Sequence, residues 1–477
     1  MAKLPPLCEV NHRIPLVDEG KQYSYHLPCC PDSLKPQLAE KIQLYTSAKW
    51  WIMASMPQVA PMLCIPKKTG KLRTVINCRK HNDNTVKDVT PFPDQDQIRM
   101  DVARAKYHSK IDLLNAYEQV CVEPEDVKKT AFSTVFGTFL SQVMQQGDCN
   151  APATFQQLMT VVLREYIGRF VHVYLDDIFV FSNMLKEHER HLRLMLDALT
   201  KAEFYLEHDK CDLYTVRLDC LGHMIDKRGV HADTDKMARI RKWRTPRNLT
   251  EIQWFVGLVK YLAQFMLDVL AYTTPLTSRQ RNGHTFLWRE IHNRCFQVIK
   301  DLACKYPILR PINPASSEPI WLICDASLYG VGTLYSQGED WKTCRPAGFM
   351  LKKLTDAQHN YRTFKQETLA ILKVLLKWED KLLGFPFKIV TDHKALTYLS
   401  TQQKLSSRQI RWTDYLSRFN AEIVYVKGVD NKVANCLSRY YETEGGKGTH
   451  ERVDWANADI RLDPEGDHLP QDQLREL

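Results

Sequence analysis

Nowhere in the 477 residues are two cysteines spaced Cys-x-x-Cys, although the chain has fourteen of them. With Cys29 and Cys30 adjacent and the others scattered, that absence argues against both a zinc module and a disulfide framework, and makes a reducing compartment the default. The nearest grouping of metal-type side chains, Cys211, Cys220 and His223, fits no zinc spacing and reads better as small core residues. No apolar run reaches the ~18 residues of a membrane span, and the opening MAKLPPLCEVNH lacks the apolar stretch of a secretory signal. Repeats at a fixed period are missing, as are low-complexity blocks before about residue 440. These absences set aside membrane spans, secreted disulfide scaffolds and repeat arrays.

What is present is the composition of a soluble globular chain, 44% hydrophobic and 25% charged, and its length exceeds what one core accommodates. Several domains are expected. The net charge of +9 sits on the first 440 residues, because the tail YYETEGGKGTHERVDWANADIRLDPEGDHLPQDQLREL is acidic and is read as a flexible extension. A modest basic excess of this kind favours a polyanionic partner without proving one. Up to about residue 230, short β-rich runs (72–78, 140–144, 171–181) alternate with helical segments such as 153–166. From 233 to 306 the pattern is helical, with Asn248-Leu-Thr-Glu opening a helix that carries Phe255, Leu258, Tyr261 and Leu262. PIWLICDASLYGVGTLYSQ (319–337) reads as two strands around a turn. Thr355 and Gln358 form a capping-box start for a helix with Leu369, Leu372, Leu376, Trp378 and Leu382 on its apolar face, and FKIVTDHKAL (387–396) supplies a further strand. The order β-β-α-β-α describes an α/β unit of about 120 residues.

The stretch VHVYLDDIFVF (171–181) sets Asp176 and Asp177 between β-branched and aromatic residues. Taken alone it is equally a hairpin turn and a catalytic pair, since Asp serves both. A third acid in a similar setting, Asp112 of KIDLLNAYEQV, weighs against the turn alone. Three carboxylates within ~4–6 Å would repel by a few kcal/mol per pair, and a cation would be needed to hold them together. Magnesium, which prefers oxygen ligands and keeps sites for phosphates, suits such a cluster, and two ions held by aspartates form the clamp for in-line phosphoryl transfer.

Tyr-Leu-Asp-Asp at 174–177, Asp112 with Ala116-Tyr117, and GDCNAPATFQ at 147–156 resemble the palm motifs of a reverse transcriptase of the gypsy-type LTR retrotransposons, particularly those of fungal elements. IPKKTGKLRTVINCRKHNDNT (65–85) resembles the fingers, CLGHMIDKRGV (220–230) the primer-grip hairpin, and WRTPRNLTEIQWFVGLVKYLAQF (243–265) the thumb. The resemblance runs from Leu4 to Tyr440. It implies an α+β multidomain fold: a right-hand polymerase of fingers and palm (1–232) and thumb-like helices (233–306), a linker (307–318), an RNase H-like α/β domain (319–440) and an acidic tail (441–477). Asp112, Asp176 and Asp177 would hold two Mg2+ ions, with Mn2+ as a substitute. Lys68 and Arg73 would grip the incoming triphosphate, Leu113, Gln146 and Gly147 would line the dNTP site, and Tyr117 would lie under the sugar and select deoxynucleotides. Leu221, Gly222 and His223 would form the primer grip.

The resemblance extends to the RNase H domain, where Asp325, Glu367 and Asp392 match three of four acidic metal ligands. The family has Ala-Asp where this chain has Ala434-Asn435, and an amide there removes one negative charge, so nuclease activity is expected to be weakened. Asp430 falls where the family commonly has a non-catalytic Asp. The implied partners are an RNA template, a DNA primer, RNA/DNA hybrid and dNTPs, with no membrane, and with monomer and homodimer both open. The implied setting is intracellular, in a cytoplasmic virus-like particle and in the nucleus, as one piece of a polyprotein. Two other readings stay open: a non-catalytic nucleic-acid-binding subunit of a decayed element, kept alive by Asn435, and an RNA-dependent RNA polymerase, which shares the paired Asp but has no use for Tyr117 or an RNase H unit.

Overall fold

The computed structural model describes residues 3–23, 27–66, 70–262, 269–277, 286, 288–303, 308–326, 330–353, 361, 363–394, 396 and 407–427. The chain divides into two compact units, one of residues 1–221 with 225–227, the other of 222–224 with 228–477.

Among the described residues, two sheets lie wholly within the first unit, and a third, of β10 (Leu218–Cys220), β11 (His223–Asp226) and β12 (Gly229–His231), comes after them in the chain. The first has β1 (Trp51–Met53), β2 (Ala60–Pro66), β3 (Leu72–Ile76), β5 (Phe132–Thr134) and β6 (Gly137–Ser141) in the order β1-β6-β5-β2-β3. Its core is aromatic: Trp51 packs edge-on against Phe132 and Tyr45, and Phe139 stacks on Phe132. The run expected as a strand over 140–144 pairs instead over 137–141. Beyond Ser141 the chain leaves the sheet, because the Ser141 hydroxyl donates to the Val143 carbonyl and Val143 bridges to Cys121.

The second sheet is built from β4 (Tyr107–Asp112), β7 (Val171–Tyr174), β8 (Asp177–Ser182) and β9 (Asp212–Thr215), ordered β7-β8-β4-β9. Two helices contribute to the same core. Ala151–Leu163 has Pro152 in its first turn, where a missing N–H costs nothing, and buries Phe155, Leu158, Met159 and Leu163. Leu185–Lys201 buries His188, Leu192, Met195 and Leu199, a single stripe at helical spacing, against Ile178 and Val180 of β8.

His188 is the polar member of that stripe. Its Nε2 lies 2.8 Å from Ser109 Oγ on β4 and its Nδ1 2.9 Å from Ser182 Oγ on β8, so the neutral ring is satisfied at both nitrogens. Burial, followed by the neighbouring His108 and His191, pushes its pKa down to about 4. The unfolded chain takes up this proton near ~6.5 and the folded chain only near 4. Stability contributed by His188 is therefore complete above ~6.5 and is lost as pH falls through that window, by about 2 kcal/mol at pH ~4.5. Urea unfolding of the protein across this range is expected to show the loss, and His188→Gln to flatten it.

In the second unit the helices Thr234–Lys242, Leu249–Leu262, Val269–Thr277 and Glu290–Leu302 follow one another, and the second of these buries Ile252, Phe255, Val256, Val259 and Leu262. A mixed sheet follows, with β13 (Ile320–Ala326), β14 (Gly330–Gln337), β15 (Arg345–Lys353), β16 (Phe387–Thr391) and β17 (Ala421–Tyr425) in the order β15-β14-β13-β16-β17. β13 runs antiparallel to β14 and parallel to β16. The helix Thr363–Lys377 covers the sheet with Leu369, Leu372 and Leu375. Two expectations are corrected here. β15 was not anticipated, because RPAGFMLKK mixes Pro346 and Gly348 into its alternation. The helix expected to run through Leu382 ends at Lys377, and after Trp378, which stacks on Tyr335 of β14, only the short turn Glu379–Leu382 continues. The capping box expected at Thr355 and Gln358, and the acidic tail, lie outside the described residues.

Candidate active sites

β7 and β8 form a hairpin in which Tyr174 pairs with Asp177, leaving Leu175 and Asp176 as the two turn residues. Leu175 adopts φ 55°, a left-handed conformation that costs a residue with a Cβ ~1–2 kcal/mol. Gln156, 2% exposed in the helix Ala151–Leu163, holds it there: the Leu175 N–H donates to Oε1 at 2.8 Å, and Nε2 donates to the Val173 carbonyl at 3.3 Å. The turn leaves Asp176 exposed and makes Asp177 the first residue of β8. Asp112, the last residue of β4, stands directly across from Asp177 in the antiparallel register.

Burial pushes the Asp177 carboxyl up. The Lys110 ammonium opposes this, and the charges of Asp176 and Asp112 push it further up. Two lysines neutralise part of this charge. Lys110 Nζ is 2.9 Å from Asp177 Oδ1, and Lys210 Nζ is 3.2 Å from Asp112 Oδ1. Among the described residues no three His, Cys, Asp or Glu side chains already converge on a common ion position. The donor set is nonetheless all carboxylate oxygen, the type magnesium takes, and each lysine shows where a cation is attracted.

Around the acids, Tyr117 lies on the one-turn helix Ala116–Gln119, entered through Asn115 at φ 49°. Its ring meets Phe155 edge-on at 5.6 Å, and burial, followed by the charge of Asp176, pushes the pKa of its hydroxyl up. Glu118, its neighbour, is fixed from the helix Lys35–Ser47 by the Tyr45 hydroxyl at 2.6 Å and by Lys41 at 3.3 Å. Gly147 has φ 122°, and a Cβ there would sit 2.2 Å from the Ile76 carbonyl oxygen. The Ile76 N–H donates in turn to the Gln146 carbonyl, which joins this loop to the end of β3. Arg73 is exposed on β3, and Lys68 lies outside the described residues. The Leu113 side chain is buried in the core.

Leu221 and Gly222 are the two-residue turn between β10 (Leu218–Cys220) and β11 (His223–Asp226), both at positive φ (51° and 79°), the conformation of a tight hairpin. The His223 side chain is 1% exposed.

In the second unit, Asp325 lies near the carboxyl end of β13 and Asp392 follows the last residue of β16. The parallel register ends at Ile323 with Val390, and Asp325 and Asp392 each come two positions after these last paired residues. Glu367 is buried on the helix Thr363–Lys377, which packs on β13. Asn435 and Asp430 lie outside the described residues. Sequence reasoning did not single out Lys110, Lys210, Gln156 or Glu118. Gln156 was inside a quoted motif, and only its contact with Leu175 reveals what it does.

A paired-acid hairpin on one sheet, and a second sheet with acids near the ends of neighbouring parallel strands, belong to the fold of a palm-type unit followed by an RNase H-like unit. Family models agree: residues 65–225 match the reverse transcriptase (RNA-dependent DNA polymerase) family, and residues 315–419 match the RNase H-like domain found in reverse transcriptase. The chain therefore carries a reverse transcriptase domain followed by an RNase H-like domain of the kind found in reverse transcriptases. It is 30% identical over 403 residues to a retrovirus-related Pol polyprotein from transposon opus of Drosophila melanogaster, covering 81% of this chain and 40% of that one. With the Transposon Tf2-3 polyprotein of Schizosaccharomyces pombe it shares 32% over 389 residues, 80% of this chain and 29% of that one. The chain thus spans well under half the length of these curated relatives. The fold matches foamy viral protease-reverse transcriptase in complex with double-stranded DNA (TM-score 0.74, 22% identity, 88% of this chain and 75% of that one). It also matches a foamy viral protease-reverse transcriptase in complex with RNA/DNA hybrid (TM-score 0.70, 21% identity, 94% and 61%).

Proposed function

We propose that the chain extends a DNA primer with deoxynucleotides on an RNA or DNA template and cleaves the RNA of the resulting hybrid. The observation that carries this reading is the register that sets Asp112 across from Asp177 with Asp176 in the adjoining turn. The nucleic acids named for the foamy viral neighbours support the choice of template, primer and hybrid as partners. Asp112 and Asp176 would hold Mg2+, with Asp177 beside them; Mg2+, when bound, supplies charge at the attacking and leaving oxygens of an in-line displacement.

The chain's own residues supply the remainder. Tyr117, packed on Phe155 and kept beside the acids, blocks a ribose 2′-hydroxyl. Arg73 offers a forked guanidinium to the triphosphate. Gly147, with no side chain, lets the loop approach the nucleotide. Lys210, 61% exposed in its pair with Asp112, can release that carboxylate to a metal and turn to phosphate. The thumb-like helices and Leu221-Gly222 would position the duplex, mainly through its backbone, so binding should weaken as salt rises.

Primer extension on an RNA template, with and without Mg2+, tests the polymerase directly, and absence of extension under all conditions would leave the reading without support. The nuclease is tested separately with a labelled RNA/DNA hybrid. Asn435→Asp restores the fourth acid and is expected to raise cleavage roughly tenfold. An unchanged rate would show that position 435 takes no part.

A further inference from the structure

Resting on the reading of Asp112 and Asp176 as metal ligands, we propose that Lys110 is a built-in counter-cation of the polymerase site. It claims Asp177, leaves the metals chiefly to Asp112 and Asp176, and holds down the affinity of the site for divalent ions. It is a positioning residue: it acts on the metals through Asp177 and through its charge, and touches neither nucleotide nor primer.

The strand geometry builds this in. Lys110 and Asp112 are two apart on β4 and share a face, while Ile111 between them is 1% exposed in the core. Asp112 pairs with Asp177 and Lys110 with Phe179, so Lys110 is the diagonal neighbour of Asp177 across the two strands. Its Nζ reaches Asp177 Oδ1 at 2.9 Å and lies 5.8 Å from the centre of the Phe179 ring. The side chains of the pair are 19% and 26% exposed, whereas Lys210, which pairs with Asp112, is 61% exposed. The two lysines therefore differ in kind. Lys210 is solvated and exchangeable, and Lys110 is rooted between strands with its carboxylate. One Asp177 oxygen is taken, and a fixed positive charge stands beside any ion that the other acids bind. With three acids and no such lysine, the site would bind divalent ions more tightly and release them more slowly.

The test is Mn2+ binding by the full chain, followed by the electron paramagnetic resonance of free Mn2+ without nucleotide or turnover. The nuclease acids are neutralised throughout (Asp325→Asn with Asp392→Asn), so that the polymerase site is the one observed. Lys110→Met is expected to tighten Mn2+ binding about fivefold, and Lys110→Arg, which keeps the charge, to leave it near wild type. Asp177→Asn leaves the lysine unbalanced and is expected to weaken binding about tenfold. Combining Lys110→Met with Asp177→Asn removes both charges and should return affinity to within about threefold of wild type. A general loosening of the fold would weaken binding in every variant, so tightening followed by rescue is the signature. Weaker or unchanged binding in Lys110→Met, or no rescue in the double variant, overturns the proposal. If Asp112→Asn with Asp176→Asn binds Mn2+ as wild type does, the reading of the site itself fails, and that outcome is separate from the lysine arms.

Discussion

Asp112→Asn and Asp176→Asn are each expected to lower primer extension about a thousandfold, equivalent to ~4 kcal/mol of transition-state stabilisation, while leaving RNA cleavage in hybrids unchanged. Asn keeps the size of the side chain and removes the charge that would hold a metal. Neither aspartate is in the core, Asp112 half-buried at the end of β4 and Asp176 exposed in the turn, so the melting temperature should hold or rise as like-charge repulsion is relieved. The hairpin itself does not depend on the Asp176 carboxylate, because the Leu175 N–H and the Val173 carbonyl are both held by Gln156. Hybrid cleavage is an internal control: Asp325 lies on β13 and Asp392 directly follows β16, strands of a different sheet in the other unit. Extension near the wild-type rate by either variant would remove Asp112 or Asp176 from the site. Asp177→Asn is a less clean experiment, since it also strands Lys110 without its partner.

How far the sequence carries to the site depends on the range of the contact. VHVYLDDIFVF was legible as a hairpin because the alternation on either side of the two acids is local, and β7 and β8 meet there as expected. PIWLICDASLYGVGTLYSQ was legible as two strands for the same reason, and it became β13 and β14. Asp112 was legible only through its resemblance to Asp176 and Asp177 in setting, and the register across from Asp177 is a tertiary fact. The supporting residues are tertiary throughout. Glu118 is fixed by Tyr45 and Lys41 from a helix more than seventy residues earlier, and Gln156 reaches a turn nineteen residues later. No periodicity marks them, because a polar residue bound to one distant partner leaves no pattern. His223 shows a different limit: the motif that carries it gives no sign that its side chain is buried.

Gly147→Ala is the second substitution with a large expected effect, and it tests the loop more than the chemistry. At φ 122° the backbone is in a region that a Cβ strongly disfavours, at a cost of ~1–3 kcal/mol, and the added carbon would stand 2.2 Å from the Ile76 carbonyl oxygen, well inside contact distance. That carbonyl ends β3 and cannot rotate away, since the Ile76 N–H is bound to the Gln146 carbonyl and the residue pairs with Met62 on β2. The loop is equally tied on its far side, where the Asn82 amide donates to the Gly147 carbonyl at 2.8 Å and accepts from the Cys149 N–H at 3.0 Å. With both sides fixed, the strain has to be taken by breaking one of these bonds. The melting temperature of the protein should fall by roughly 5–10 °C, and the loop should shift away from the end of β3. Because Gln146 borders the same junction, the KM for dNTP should rise at least tenfold while hybrid cleavage continues, a split that separates a displaced nucleotide site from global unfolding. An alanine variant with wild-type melting and wild-type KM would show that this loop is free to move and is no part of the nucleotide site.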